Sequence, residues 1–142
     1  MQEQSTDARK SDRLLGLIRR RLLLVDEDLD DLAYYSAILQ HQGYEVRSIP
    51  SYKDGAAWVG REDFDLILVS QGTCNFEGRS VLARAIEMDR HNPVLVLTRS
   101  IDMPSYLEAM QLGALDYMEK PIPPAEIGPL VRKYLRTRPG SA

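Results

Sequence analysis

Three short runs of apolar residues limit most strongly what this chain can fold into. They cover residues 22–25, 66–69 and 94–97, and in each run the apolar residues are continuous rather than alternating with polar ones. Short continuous runs are typical of strands that are buried on both faces, as in a parallel sheet covered by helices. Such runs are also far too short to cross a membrane. Weaker runs at residues 44–49 and 115–118 bring the number of predicted strands to five.

Between these runs, apolar residues recur at the spacing of helices. The five predicted helices cover residues 30–42, 52–61, 79–90, 103–112 and 125–136. Gly43 and Gly113 follow two of them, where a C-cap glycine is expected. Pro129 predicts a kink or a late start in the last helix, because it lacks an N–H group. Five β-α units in succession predict a three-layer α/β/α sandwich around a five-stranded parallel sheet.

The predicted units fill residues 21–136, which is enough for one domain with its own core. Residues 1–20 are predicted to form an N-terminal extension, either flexible or a short amphipathic helix used for docking or dimerisation. Residues 137–142 are predicted to be a disordered tail. Because so few residues follow the last helix, we expect no output domain after it.

The charge and cysteine content exclude some classes of protein. The net charge is −3 and the isoelectric point is about 5.4, so we expect no nucleic-acid-binding face, which would be strongly basic. Cys74 is the only cysteine and cannot form an internal disulfide. The N-terminus does not have the pattern of a secretory signal. These features favour a cytoplasmic protein.

Polar residues follow four of the five predicted strands. Asp26 and Glu27 follow the first strand, Ser70 the third and Thr98 the fourth, and Lys120 comes just after the fifth. Carboxyl ends of parallel strands meet at one edge of the sheet, where ligands bind in such folds. Two carboxylates suit Mg²⁺, and a hydroxyl with a lysine suits a phosphoryl group. The plain alternative is that the acids cap the first helix, a role we assign to Asp28.

The segments LLLVDED, DLILVS, VLVLT and GALDYMEKPI resemble the landmarks of the response-regulator receiver domain of bacterial two-component signalling. The resemblance covers about residues 21–136 and implies a flavodoxin-like fold similar to that of chemotaxis regulators. It implies that Asp26 and Glu27 hold Mg²⁺ and that Gly78 opens the third helix.

The resemblance also assigns roles around the phosphoryl pocket. Thr98 matches the hydroxyl that contacts the phosphoryl group, and Lys120 matches the lysine that binds its oxygen. Pro121 matches a proline that follows a cis peptide bond. Tyr117 matches the aromatic residue that turns inward on activation, although it could equally be an ordinary half-buried aromatic.

Ser70 lies where the family has its phosphoacceptor aspartate. A serine hydroxyl needs an adjacent base to act as a nucleophile, and neither histidine is predicted to lie near it. Glu27 is longer than the usual aspartate, so we expect any Mg²⁺ site to be weak or vestigial. Arg99 replaces a small residue and could fill the pocket. With the aspartate lost, we expect Lys120 to pair with Asp26 or Glu27.

These features predict an atypical, stand-alone receiver that does not form phosphoaspartate and acts through protein contacts rather than as an enzyme. Two alternatives stay open. One is a working phosphoacceptor that uses Ser70 or another residue. The other is a small flavodoxin-like ligand-binding or enzymatic domain.

In this family, the fourth helix, fifth strand and fifth helix commonly form the face that binds partners or a second copy. The residues implied here are Met103, Tyr106, Met110, Tyr117 and Ile127. The implied partners are a histidine kinase, a downstream effector or a second copy of the chain. We expect no nucleic acid and no membrane among them.

Overall fold

The computed structural model describes residues 19–136, which form five strands and five helices in strict alternation. The strands are β1 Arg21–Val25, β2 Glu45–Ile49, β3 Leu66–Ser70, β4 Val94–Thr98 and β5 Asp116–Glu119. The helices are α1 Leu29–His41, α2 Tyr52–Arg61, α3 Arg79–Met88, α4 Met103–Leu112 and α5 Pro124–Tyr134. The predictions for residues 1–18 and 137–142 lie outside the described residues. Within residues 19–136, every helix is too short or too polar to span a bilayer.

The strands form one parallel sheet in the order β2-β1-β3-β4-β5, which confirms the predicted fold class. Both faces of the sheet are covered, and this explains why the apolar runs are continuous. In β1, Leu23 and Val25 pack in the core layer that includes residues of α2, α3 and α4. Leu22 and Leu24 pack in the opposite layer with residues of α1 and α5. Each such fully buried side chain contributes roughly 1.5–3 kcal/mol through removal from water.

Short polar side chains set the starts of three helices. Asp28 caps α1, as predicted, by accepting hydrogen bonds from the backbone N–H groups of Asp30 and Asp31. Ser51 caps α2 and Asp102 caps α4 in the same way. Each cap satisfies a backbone donor that the helix leaves without a partner.

The last helix differs from its predicted form. It begins at Pro124, one residue earlier than predicted, and continues through Pro129 to Tyr134. The prediction of a late start is therefore wrong. Pro129 lies in the second turn, where it removes one hydrogen bond, while Ile127 and Val131 bury the helix against the sheet.

The start of α3 lies unusually close to the end of β3. A Cβ atom added to Gly78 would lie 2.1 Å from the backbone carbonyl oxygen of Ser70. The N–H group of Gly78 donates a hydrogen bond to the carbonyl of Gln71 at 3.0 Å. Only glycine allows this approach, so Gly78 fixes the loop that leaves the sheet at Ser70.

Candidate functional site

The carboxyl ends of β1 and β3, together with the first turn of α1, border a hollow of about 200 Å³. Its lining includes Asp26, Glu27, Ser70, Arg99 and Lys120. The structure therefore brings together residues that lie far apart in the chain, at the edge of the sheet where the sequence predicts a site.

Lys120 is the centre of a buried ionic cluster. Its Nζ lies 2.8 Å from Asp26 Oδ2, 2.8 Å from Asp31 Oδ2 and 3.5 Å from Ser70 Oγ. Lys120 is 6% exposed, Asp26 3% and Asp31 7%. The predicted pairing of Lys120 with Asp26 or Glu27 holds for Asp26. Glu27 is exposed, and Asp31 takes the second position.

Sequence reasoning missed Asp31, although a signal for it is present. Asp28 is the N-cap of α1, so Asp31 falls in the first turn of that helix, above the end of β1. A carboxylate there is favoured by the helix dipole and lies on the side that faces the hollow. Because Asp31 follows the N-cap residue by three positions, its place in the first turn of α1 could have been predicted from the sequence.

Arg99 reaches across the hollow to the same carboxylate. Its Nη2 donates a hydrogen bond to Asp31 Oδ1, and its Nε lies 3.9 Å from Asp28 Oδ2. The negative charge of Asp31 raises the pKa of the Arg99 guanidinium. Asp31 thus contacts two cations. The two negative charges of Asp26 and Asp31 are balanced by the positive charges of Lys120 and Arg99.

The carboxylates do not form a ready Mg²⁺ site. Asp26 Oδ2 is bound to Lys120, and Asp26 Oδ1 accepts a hydrogen bond from the N–H of Asp28 at 3.0 Å. Both oxygens of Asp31 are held by cations. Across residues 19–136, no three histidine, cysteine or acidic side chains are grouped so that they could hold a metal ion. A divalent ion would first have to displace the protein's own cations.

Ser70 is buried between Lys120 and the phenol of Tyr52. Burial raises the pKa of Tyr52 to about 12, against the opposing effect of its hydrogen bond with Ser70. Neither of the two histidines lies at the end of the sheet where Ser70 lies. His41 is the last residue of α1, and His91 lies in the turn before β4, so each belongs to the opposite end of the sheet.

Thr98 and Tyr117 are both buried, but their hydroxyl groups bond away from Ser70. Thr98 Oγ1 donates to the carbonyl of Ser100 at 2.8 Å. The Tyr117 hydroxyl donates to the side-chain oxygen of Gln71. The Lys120–Pro121 peptide bond is cis, as the resemblance implies.

The predicted partner residues divide into two groups. Met103, Tyr106 and Met110 are exposed on α4, whereas Tyr117 and Ile127 are buried. Ile127 is 3% exposed because it lies on the face of α5 that packs on the sheet, so its assignment to a partner surface is wrong. Three further exposed apolar residues lie on or next to α4, which are Ile101, Leu107 and Leu115. Of these, only Ile101 lies outside the segments that the resemblance assigns to the partner face.

Known proteins match this chain over most of its length. The response regulator receiver domain family matches residues 22–132. The phosphoglycerate transport system transcriptional regulatory protein PgtA of Salmonella typhimurium is 28% identical over 117 residues, which are 82% of this chain and 28% of PgtA. The chain spans between 23% and 55% of the length of the curated regulators that it resembles.

Solved structures agree with the observed fold. A CheY-like receiver domain protein from Methanospirillum hungatei is 25% identical with a TM-score of 0.76, covering 81% of this chain and 92% of that one. A response regulator from Burkholderia pseudomallei, solved with a phosphorylated aspartic acid, a calcium ion and citrate, is 25% identical with a TM-score of 0.70. That match covers 83% of this chain and 67% of the other. Together with the strand order and the cluster at the sheet edge, these matches show that the chain belongs to the response regulator receiver domain family.

Proposed function

We propose that this chain is a receiver that does not form phosphoaspartate and that signals through protein–protein contacts in a two-component pathway. One observation carries the proposal. Ser70 ends β3 beside Lys120, and the charge of that lysine is already balanced by Asp26 and Asp31. The pocket thus has an alcohol in place of an acid and a lysine that is already paired.

The chemistry of serine supports this proposal. A carboxylate is a nucleophile at neutral pH, whereas a hydroxyl needs a base beside it to remove its proton. Asp26 lines the same hollow as Ser70 and is a candidate base, but its Oδ2 accepts a hydrogen bond from Lys120. An ionised carboxylate held by a cation is a poor base for an alcohol.

The electrostatics of the pocket support it as well. Phosphoryl transfer depends mainly on cations placed to stabilise the transferred group. Here Lys120 and Arg99 are bound to carboxylates, so an incoming phosphoryl group would have to break both sets of ion pairs. The relative from Burkholderia pseudomallei was solved with a phosphorylated aspartic acid and a calcium ion. In this chain, serine occupies the acceptor position and arginine contacts the acids.

The partners we propose are a histidine kinase or a downstream effector, in the cytoplasm, with a second copy of the chain as a further candidate. The face we propose for them centres on α4, where Met103, Tyr106, Leu107 and Met110 are exposed. Their spacing of three and four residues puts them on one side of the helix. We call these four residues the α4 strip.

Incubation with acetyl phosphate and Mg²⁺, followed by intact mass measurement, tests the proposal. We expect no phosphoryl adduct on the wild-type chain or on Ser70→Asn, a control that has the size of aspartate but no nucleophile. Ser70→Asp should gain an adduct that is labile in both acid and alkali. The yield should rise when Arg99→Ala is added, because that change releases Asp31 Oδ1, while Lys120 still binds Oδ2.

Two outcomes on the wild-type chain would contradict the proposal. An adduct that is labile in both acid and alkali would mean that some carboxylate in this chain is phosphorylated. An acid-stable adduct that disappears in Ser70→Asn would mean that Ser70 itself is the acceptor.

A further inference from the structure

The hydroxyl of Tyr117 joins three segments of the chain at one point. Tyr117 belongs to β5, and its hydroxyl donates a hydrogen bond to the side-chain oxygen of Gln71, just after β3. The same hydroxyl accepts a hydrogen bond from the N–H of Asp102 at 3.1 Å, just before α4. Tyr117 is buried, so water does not compete freely for these bonds.

Gln71 is held rigidly in the position that this bond requires. It follows Ser70 directly and is 2% exposed. Its N–H donates to the carbonyl of Leu97 at 2.7 Å, and its carbonyl accepts from Gly78. Its side-chain Nε2 donates to the carbonyl of Thr73 at 3.0 Å. Since the amide nitrogen has its own acceptor, the amide oxygen is left to point at Tyr117.

The contacts continue from Tyr117 to the surface of α4. Asp102 is the N-cap of α4, so the bond to Tyr117 lies at the residue that starts the helix. The ring of Tyr117 meets the ring of Tyr106 edge-on, with centroids 5.5 Å apart. Tyr106 belongs to the α4 strip. The position of Tyr117 therefore affects both the residue at which α4 begins and the orientation of the α4 strip at the surface.

We infer that Gln71 is a positioning residue that holds Tyr117 inward and so fixes α4 and its strip in one arrangement without a phosphoryl group. The hydrogen bonds that do this involve neither Thr98 nor Lys120. The inference gives a structural basis to the proposed function, since a receiver without phosphoaspartate needs another means of fixing its partner face.

Two variants of the full chain test this inference. Gln71→Leu removes the acceptor at similar volume, and Tyr117→Phe removes the hydroxyl while keeping the ring. We expect amide hydrogen exchange at Asp102 to speed up about tenfold in each, as for the loss of one buried hydrogen bond. In Gln71→Leu, the nuclear Overhauser contact between the rings of Tyr106 and Tyr117 should also weaken.

The double variant separates positioning from a general structural role. If Gln71 acts through the Tyr117 hydroxyl, adding Gln71→Leu to Tyr117→Phe should not speed exchange at Asp102 any further. Gln111→Leu makes the same substitution at an exposed site on α4 and should leave exchange at Asp102 unchanged.

The inference is overturned if Gln71→Leu keeps wild-type exchange at Asp102, or if the effects of the two variants simply multiply in the double variant. None of these measurements uses phosphorylation. A failure here would therefore leave the acetyl phosphate result untouched, and an acyl phosphate on the wild-type chain would leave the Gln71 result standing.

Discussion

Replacing Lys120 by methionine should be among the most destabilising single changes in this domain. Methionine fills nearly the same space as the lysine stem, so the change creates no large cavity. It removes the ammonium group that lies 2.8 Å from both Asp26 and Asp31. Two carboxylates with less than a tenth of their surface exposed would then lose their common partner.

The size of the effect follows from this geometry. Removing one partner of a buried ion pair typically costs about 3–5 kcal/mol, because the remaining charge stays buried without compensation. Arg99 still contacts Asp31 in the variant and partly offsets that charge. We therefore expect a loss near the lower end, about 3 kcal/mol of the free energy of unfolding.

Urea unfolding at pH 7 measures this loss. For a domain of this size, a slope of about 1.5 kcal/mol per molar urea places the transition midpoint about 2 M lower in the variant. Lys53→Met, at an exposed position on α2, is the matched control and should change the free energy by less than about 0.5 kcal/mol.

A second substitution checks that the loss comes from uncompensated charge. Adding Asp26→Asn to Lys120→Met removes one of the two buried charges and should restore part of the stability. If Lys120→Met unfolds within about 1 kcal/mol of the wild type, or if Asp26→Asn deepens the loss, the ionic cluster does not stabilise the fold as argued.

Three further predictions concern single residues around the site. Backbone hydrogen bonds at the start of α1 lower the pKa of Asp28. The contribution of Asp28 to stability is therefore present above the ordinary pKa of 3.8 and is lost as the pH falls through the folded pKa. Asp28→Asn, which keeps a capping oxygen, should flatten the fall in unfolding free energy measured below pH 4. Burial raises the pKa of Tyr52 from 10.0 to about 12, so the contribution of Tyr52 to stability is intact below pH 10 and is lost between pH 10 and 12. Tyr52→Phe should remove up to about 3 kcal/mol of the destabilisation seen in alkali. An unchanged fall in unfolding free energy above pH 10 would refute this. Gly78→Ala should cost at least about 2 kcal/mol in urea unfolding, because its Cβ would meet the carbonyl oxygen of Ser70, whereas Gly60→Ala on the exposed side of α2 should be neutral or stabilising.

Much of the fold could be predicted because its causes are local in the sequence. The continuous apolar runs at residues 22–25, 66–69 and 94–97 became the buried central strands, since a strand covered on both faces has no position for a polar residue. Asp28 was identified as a helix cap because capping depends only on the next three residues. The boundaries of α5 were less predictable, because burial of Ile127 and Val131 outweighs the cost of Pro129.

The sequence by itself determined which polar residues lie at the edge of the sheet formed by the carboxyl ends of the strands. Strands that alternate with helices run parallel, so Asp26, Ser70, Thr98 and Lys120 had to meet there whatever their partners. The assignment of Ser70 to the position of the acidic acceptor is likewise a prediction from the sequence alone.

Only the tertiary structure decided which of these groups bind one another. Lys120 binds Asp26 and Asp31, which lie 94 and 89 positions away, and it does not bind Glu27 beside Asp26. Tyr117 binds Gln71, 46 positions away. Which groups bind one another depends on differences in distance of a few tenths of an ångström and on which side chains are shielded from water. Those quantities are set by the packing of helices against the sheet. The local pattern after Asp28 places Asp31 in the first turn of α1 but does not specify which cation binds it.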